Sequence, residues 1–229
     1  MNKDMQVIKD IRLYRSSIEN ISGNSLPSDF YNRSASYIVR RIAMKLKEKG
    51  FSLGDFHHLY INFTTCKVDG MISLSKREID RYYPWYRYYD VEVSEEIYDQ
   101  LESEAEVERI INTVETVLNK FSKPEFDSDM IHACICEALE QGEKMTMIFK
   151  EKTGKNNKVV VYLRYLNNGH YFPLIRVFDL DDNMIFEKDL PETQSLDSYG
   201  EIQISSKKVT IKPRKNCFSG GVDPISIEY

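Results

Sequence analysis

A chain of 229 residues with 41% hydrophobic and 29% charged residues can bury a core as one large domain or two small ones. Fifteen Tyr and 11 Phe against 10 Gly and 7 Pro exclude collagen-like and low-complexity character and argue against disorder. The net charge of −5 hides an asymmetry: residues 1–50 carry ten Lys/Arg against five Asp/Glu (+5), and residues 91–143 carry three against fifteen (−12).

The first residues mix charges among their apolar positions, unlike the unbroken apolar run of a secretory signal. The longest apolar run, 159–163, is far short of a bilayer span. A cytoplasmic protein with no membrane partner is expected, with Cys66, Cys134, Cys136 and Cys217 as reduced thiols.

Val7, Ile11, Tyr14 and Ile18 share one stripe at helical spacing, which predicts an amphipathic helix over 4–20. A second helix is predicted from an N-cap at Ser28 or Asp29 to Lys49, with Ala35, Ile38, Val39, Ile42 and Leu46 inward and Gly50 as its stop. His57, Leu59, Ile61 and Phe63 then alternate with His58, Tyr60, Asn62 and Thr64, the period of a half-buried strand. Residues 68–71 read as a turn, and a strand is expected near 86–93.

Three helix starts follow. Ser94 precedes Glu95 and Glu96, acids that the helix dipole favours in a first turn. Ser103 and Glu106 form a capping box ahead of Val107, Ile110, Ile111, Val114, Leu118 and Phe121. Asp127-Ser128 opens a helix with Ile131, Cys134, Ile135, Ala138 and Leu139 inward and Gly142 beyond its end. From Lys144 the pattern is β, with strands predicted at 145–150, 159–166, 171–178, 184–188, 201–205 and 208–212. Asn-Gly at 168–169 marks a tight hairpin; 159–166 is apolar on both faces and should be central, and Pro173 suggests an edge or a strand start. The fold class is α+β: N-terminal helices and short strands over 1–143, and an antiparallel β-meander over 144–229, as two domains or one continuous sheet.

Phosphate-loop, dinucleotide, nucleophile-elbow and zincin motifs are absent from the sequence. Asp179, Asp181 and Asn183 imitate the start of a calcium loop, but its sixth and twelfth positions hold Met184 and Leu190, so a hairpin turn is the better reading. His132 and Cys136 share a helix face while Cys134 points away, and no further ligands sit nearby, so neither a metal nor a cofactor is expected. His57 and His58, as strand neighbours, should face opposite ways; His58 could act as a base with Glu78, Asp80 or Asp90, but no nucleophile partners it.

The aromatic run carries more. Tyr82, Tyr83, Trp85, Tyr86, Tyr88 and Tyr89 cannot all face one core from an extended segment, and Tyr, Trp and Arg are the residue types of interface hot spots. The acidic block, with Glu92, Glu95, Glu96, Asp99, Glu102, Glu104, Glu106 and Glu108 on exposed faces, repels nucleic acid and attracts a basic protein.

The stretches Phe56-His-His-Leu-Tyr-Ile-Asn-Phe-Thr-Thr65 and Tyr82-Tyr-Pro-Trp-Tyr-Arg-Tyr-Tyr-Asp90, in an acidic chain without catalytic motifs, resemble the bacterial immunity proteins of polymorphic toxin systems. The resemblance spans about the middle third of the chain and implies a non-enzymatic inhibitor that occludes one cognate toxin; no family residue is carried over. The expected contact set is Tyr82, Tyr83, Trp85, Tyr86, Arg87, Glu92, Glu95, Glu96, Asp99 and Glu102, facing a basic toxin domain. The alternative is single-stranded nucleic-acid binding or processing, from Lys76, Arg77, Arg81 and Arg87 interleaved with the aromatics; the acidic block and a pI near 5.5 count against it.

Overall fold

The computed structural model describes residues 5–215 and 223–229, so Cys217 lies outside the described residues. The chain divides into two compact units, Met1–Gly142 and Glu143–Tyr229.

The first unit is built on a five-stranded sheet in the order β2-β1-β3-β5-β4, with β1 Asp10–Ser16, β2 Ser28–Asp29, β3 His58–Thr64, β4 Ile72–Leu74 and β5 Tyr86–Glu92. β1, β3 and β5 are parallel and in full register; β2 and β4 pair antiparallel at the edges. Parallel neighbours need a crossover, and α1 (Arg33–Glu48) lies in the connection from β1 to β3. Its apolar stripe packs on β1 and on two later helices, α3 (Val107–Phe121) and α4 (Ser128–Gln141).

The first expected helix is therefore a strand. Val7 and Ile18, which complete the helical stripe, fall outside β1, and Ile18 is exposed; within β1 the buried Ile11 and Leu13 follow a period of two. The cap of α1 also moves. Ser28 and Asp29 pair with β1, and Asn32 caps the helix by accepting from Ala35 N at 3.1 Å. Asn32 is fully buried, and its Nδ2 donates to the carbonyls of Leu101 (3.1 Å) and Ser103 (2.8 Å), tying α1 to the chain that enters α3. β3 is buried on both faces rather than half-buried, as in parallel sheets that are covered on both sides; only His58 keeps partial exposure.

The other caps form where the sequence places them. Ser94 accepts from Ile97 N at the start of α2 (Glu95–Gln100), and Asp127 accepts from Met130 N at the start of α4. Ser103 accepts from Ala105 N, but Glu106 turns to Arg109 at 2.7 Å and is buried, a correction to its expected exposure. Leu139, expected inward, is half-exposed on α4.

The second unit is all β. β6 (Met147–Thr153), β7 (Asn157–Tyr165), β8 (Tyr171–Asp179) and β9 (Met184–Asp189) form an antiparallel meander; β10 (Ile202–Ile204), β11 (Lys208–Ile211) and β12 (Ile225–Glu228) form a separate antiparallel sheet. Val159, Val161, Ile175 and Val177 close a core with Leu190, Tyr199, Ile202, Val209, Ile211 and Ile227. β7 is interior, and so is β8, which corrects the edge reading of Pro173. Its carbonyl accepts from Leu190 just past the end of β9, so the missing N–H falls where the ladder is already ending. Asp179 Oδ1 accepts from the backbone of Asp181 and Asn183, both at 2.9 Å, the turn that the broken calcium pattern implied.

Candidate interaction surface

Alternation splits the parallel strands into two faces. Leu59, Ile61 and Phe63 of β3 are almost fully buried on one face, where Tyr89 of β5 meets Phe121 of α3 with ring centroids 4.4 Å apart. The register sets three rows on the opposite face: Asp10, His58 and Tyr86; Arg12, Tyr60 and Tyr88; Tyr14, Asn62 and Asp90. Tyr14, Tyr60 and Tyr88 form one aromatic cluster, with Tyr86 stacked on Tyr60 at 4.9 Å. Burial raises the phenol pKa of each of these tyrosines, so they stay neutral.

Residues 17–27 and 75–85 are linked to each other on this side of the sheet. Arg77 Nε donates to Asn20 Oδ1 at 2.8 Å, and its Nη2 donates to the carbonyls of Asn24 and Ser25 at 3.0 and 2.9 Å. Ser75 Oγ donates to the Asn20 carbonyl at 2.7 Å, and Glu78 N donates to Ser22 Oγ at 3.0 Å.

The second segment then projects the aromatic residues. Tyr82, Tyr83 and Trp85 are 85%, 54% and 39% exposed. Asp80 Oδ1 accepts from the backbone N of Tyr82 (2.7 Å) and Tyr83 (3.1 Å). Arg87 closes the other side by donating to the carbonyls of Pro84 and Tyr86 and to Asp55. The Trp85 ring stacks on His57 at 6.3 Å and takes Tyr83 edge-on at 5.4 Å. Tyr86 and Arg87 are half-buried, and Tyr88 and Tyr89 are buried, so only the first part of the run is free for a partner.

His57 and His58 do not face opposite ways. His57 precedes β3, the backbone N of both residues donates to the Trp85 carbonyl, and the two Nδ1 atoms meet, with ring centroids 4.5 Å apart. Such a contact needs one donor and one acceptor, so at most one ring can be an imidazolium while it persists. Burial, with Lys9 and His58 adding repulsion, lowers the His57 pKa to about 4. Burial also lowers His58; Arg12, Lys9 and Arg40 act the same way, against Asp10. Asp10 is itself bound by Arg12 (2.7 Å) and Arg40, so His58 gains no free carboxylate there. Asp90 lies four residues further along the strands, about 13 Å away at 3.3 Å per residue, which separates the proposed acid/base group.

The acidic residues lie at the other end of β5. Glu92 accepts from Lys67 Nζ at 2.6 Å and Val68 N at 2.9 Å, bonds that lower its pKa. Glu95, Glu96 and Asp99 are exposed on α2, and Glu102 pairs with Arg15 at 3.1 Å. Seven residues separate Trp85 from Glu92, roughly 23 Å along the strand, so the aromatic and acidic groups are two ends of a surface and not one cluster.

Between these ends lies a group that the sequence hid. Asn20 and Asn62 both donate to Asp90 Oδ1, at 2.9 and 2.8 Å. Burial raises the Asp90 pKa, against the lowering effect of the two amides and Arg77. A cavity of about 60 Å3, lined in part by Asn20, Thr64, Ser73 and Asp90, opens beside it. No sequence motif joins residues 20, 62 and 90; only the parallel register does.

Among the described residues, no group of three or more His, Cys, Asp or Glu could hold a metal ion; Cys66, Cys134 and Cys136 are free thiols, and no helix is long and apolar enough to cross a membrane. His132 meets Cys136 at 3.3 Å and Glu115 at 2.8 Å, the shared helix face expected of it. No family model, curated protein or solved structure matches this chain.

Proposed function

We propose that this chain is a non-enzymatic protein-binding inhibitor, of the kind that immunity proteins exemplify, which blocks a basic partner by covering its cationic site. The observation that supports this reading is the aromatic segment: the rings of Tyr82 and Tyr83 stand out of the surface beside a partly exposed Trp85, on backbone held by Asp80, Arg77 and Arg87. Exposed Tyr and Trp bury much area per residue, and a segment already fixed loses little further freedom on binding. The acidic end adds long-range attraction, which speeds the encounter more than it tightens the complex. A standard interface covers ~800 Å2 per partner, a disc roughly 30 Å across, so one partner spans both ends of β5.

The nucleic-acid alternative loses support, because two of its four cations, Arg77 and Arg87, are committed to intramolecular bonds. A tagged chain and its Tyr82→Ala/Tyr83→Ala variant, used side by side to capture partners from host lysate, test the proposal. Wild type should retain one basic protein in stoichiometric amount and the variant should lose it, and co-expression of the chain should relieve that protein's toxicity. Equal retention by the variant, or no retained protein, refutes the reading; salt-sensitive binding of single-stranded RNA or DNA would move the segment to the alternative.

A further inference from the structure

Arg87 and Tyr89 alternate onto the helix-packed face of β5, in register with Leu59 and Ile61 of β3. A cavity of about 460 Å3 opens beside them, within the range of pockets that take a small molecule. Its floor is apolar: Leu53, Phe56 and Tyr89 are buried, and Leu74 of the edge strand β4 adds a half-exposed wall. The Arg87 side chain is 11% exposed, and its guanidinium lies over the Phe56 ring at 5.5 Å and against Asp55 at 2.9 Å, both of which line this cavity. An arginine carries five N–H donors. Nη1 donates to the carbonyls of Pro84 and Tyr86 and Nη2 donates once, to Asp55, which leaves Nε–H and one Nη2 hydrogen with no acceptor among the described residues. Unlike Asn62 Oδ1, Nε is not sealed from the surface, so an incoming acceptor can reach it.

The chemistry of the walls selects the ligand. Largely buried donors without partners are rare, and a carboxylate is the acceptor that best matches a guanidinium. Lys123, on the link after α3, is a second cation at the same place: a side chain at Gly54 would meet its Cε at 3.3 Å and its Nζ at 3.6 Å, so the ammonium lies against the Gly54 wall. Asp55 and Glu125 oppose an anion, but Asp55 is already answered by Arg87, which leaves Glu125 on the exposed rim to set against Lys123. We infer that this cavity binds a small carboxylic acid with an apolar, ring-sized body, its carboxylate shared by Arg87 and Lys123 and its body on Leu53, Phe56 and Tyr89. The site uses none of Tyr82, Tyr83 and Trp85, so it stands apart from the protein-binding reading.

The probe is sodium 3-phenylpropionate, titrated into the full chain at neutral pH and constant ionic strength, with binding followed by calorimetry and NMR. Saturable binding with a Kd on the order of 0.1–1 mM is expected of so small a ligand, with NOEs from its ring protons to the Leu53 and Leu74 methyls. 3-Phenylpropanamide and 3-phenylpropylammonium carry the same ring without the anion and should bind about tenfold more weakly or worse. Lys123→Gln, on an exposed link, should weaken the acid about threefold, and Glu125→Gln should tighten it. Arg87→Lys keeps the charge but removes the fork of donors, and should cost about tenfold or more. Should Arg87→Lys not fold, the wild-type comparison of acid with amide and the two link variants decide. Equal binding of acid and amide, indifference to both link variants, NOEs to residues elsewhere, or no saturation up to about 10 mM means a solvent-filled cleft and overturns the inference. None of these results bears on capture through Tyr82 and Tyr83, so the two ideas fail separately.

Discussion

Trp85→Ala divides one side chain between folding and binding. The residue is 39% exposed, which leaves 61% of it buried against His57, Tyr83 and their surroundings. A tryptophan buries up to ~250 Å2, so about 150 Å2 is already removed from water and about 100 Å2 remains for a partner. At ~25 cal/mol per Å2 the buried part corresponds to about 4 kcal/mol as an upper bound, about 3 after allowance for a compact unfolded state. The exposed part corresponds to about 2.5 kcal/mol of binding. Denaturant titration should therefore show a loss of about 3 kcal/mol in the first unit. Surface-immobilised kinetics on the captured partner, taken well below the new midpoint, should show dissociation tens of times faster with association little changed. Tyr82→Ala is the control: at 85% exposure it should change stability by less than about 0.5 kcal/mol yet still speed dissociation. If both variants bind with wild-type rates, the aromatic segment is not the contact surface, whatever happens to stability.

Asn32→Asp keeps the cap acceptor for Ala35 N but sets a buried carboxylate against the carbonyls of Leu101 and Ser103; a loss of at least about 3 kcal/mol in urea unfolding is expected, whereas an isolated cap would tolerate the change. Gly200→Ala would drive its Cβ into the carbonyl oxygens of Pro213 and Lys212, so the bond from Gly200 N to the Lys212 carbonyl must open; proteolysis of the second unit should become faster, and unchanged resistance would contradict the close approach. Stability should also fall on acidification. The folded-state pKa of His57 is lowered from 6.5 to about 4 and that of His58 is lowered, so the unfolded chain takes up protons first as pH drops through that window. Asp90, with its raised pKa, acts in the opposite sense just above 3.8. Urea midpoints measured across this window should decline in wild type and decline less in a His57→Asn/His58→Asn variant; parallel slopes would exclude the histidine pair as the cause.

What could be read from the sequence was whatever local chemistry decides. Ser94 and Asp127 cap helices because a side-chain oxygen two or three residues ahead of free N–H groups needs no tertiary help. The Asn168-Gly169 turn forms for an equally local reason, a glycine at positive φ. The helical period over 4–20 misleads because a seven-residue strand buried on both faces carries little alternation of its own, and Val7 and Ile18 complete that period from outside it. The strand rule that sets His57 and His58 on opposite faces does not reach His57, since β3 begins at His58. The aromatic run was legible as residues in excess of any single core, but not where it divides: Tyr88 and Tyr89 enter the sheet while Tyr82 and Tyr83 leave it, a split set by Asp80 and Arg87 on either side.

The Asp90 group marks the limit of that kind of reading. Residues 20, 62 and 90 have ordinary neighbours and no common spacing, and polar residues inside strands usually face solvent. They converge because parallel pairing sets Asn62 beside Asp90, while residues 17–27, held by Arg77 and Ser75, return Asn20 to the same carboxylate. Each link depends on another element being in place, so no window of sequence contains the site. The same dependence makes the group sensitive: loosening Arg77 would release Asn20, leave the Asp90 carboxylate with one amide instead of two, and raise its pKa further, a shift that carboxyl NMR on an Arg77→Ala variant would read directly. An unchanged Asp90 titration in that variant would mean that residues 17–27 hold Asn20 in place without the arginine.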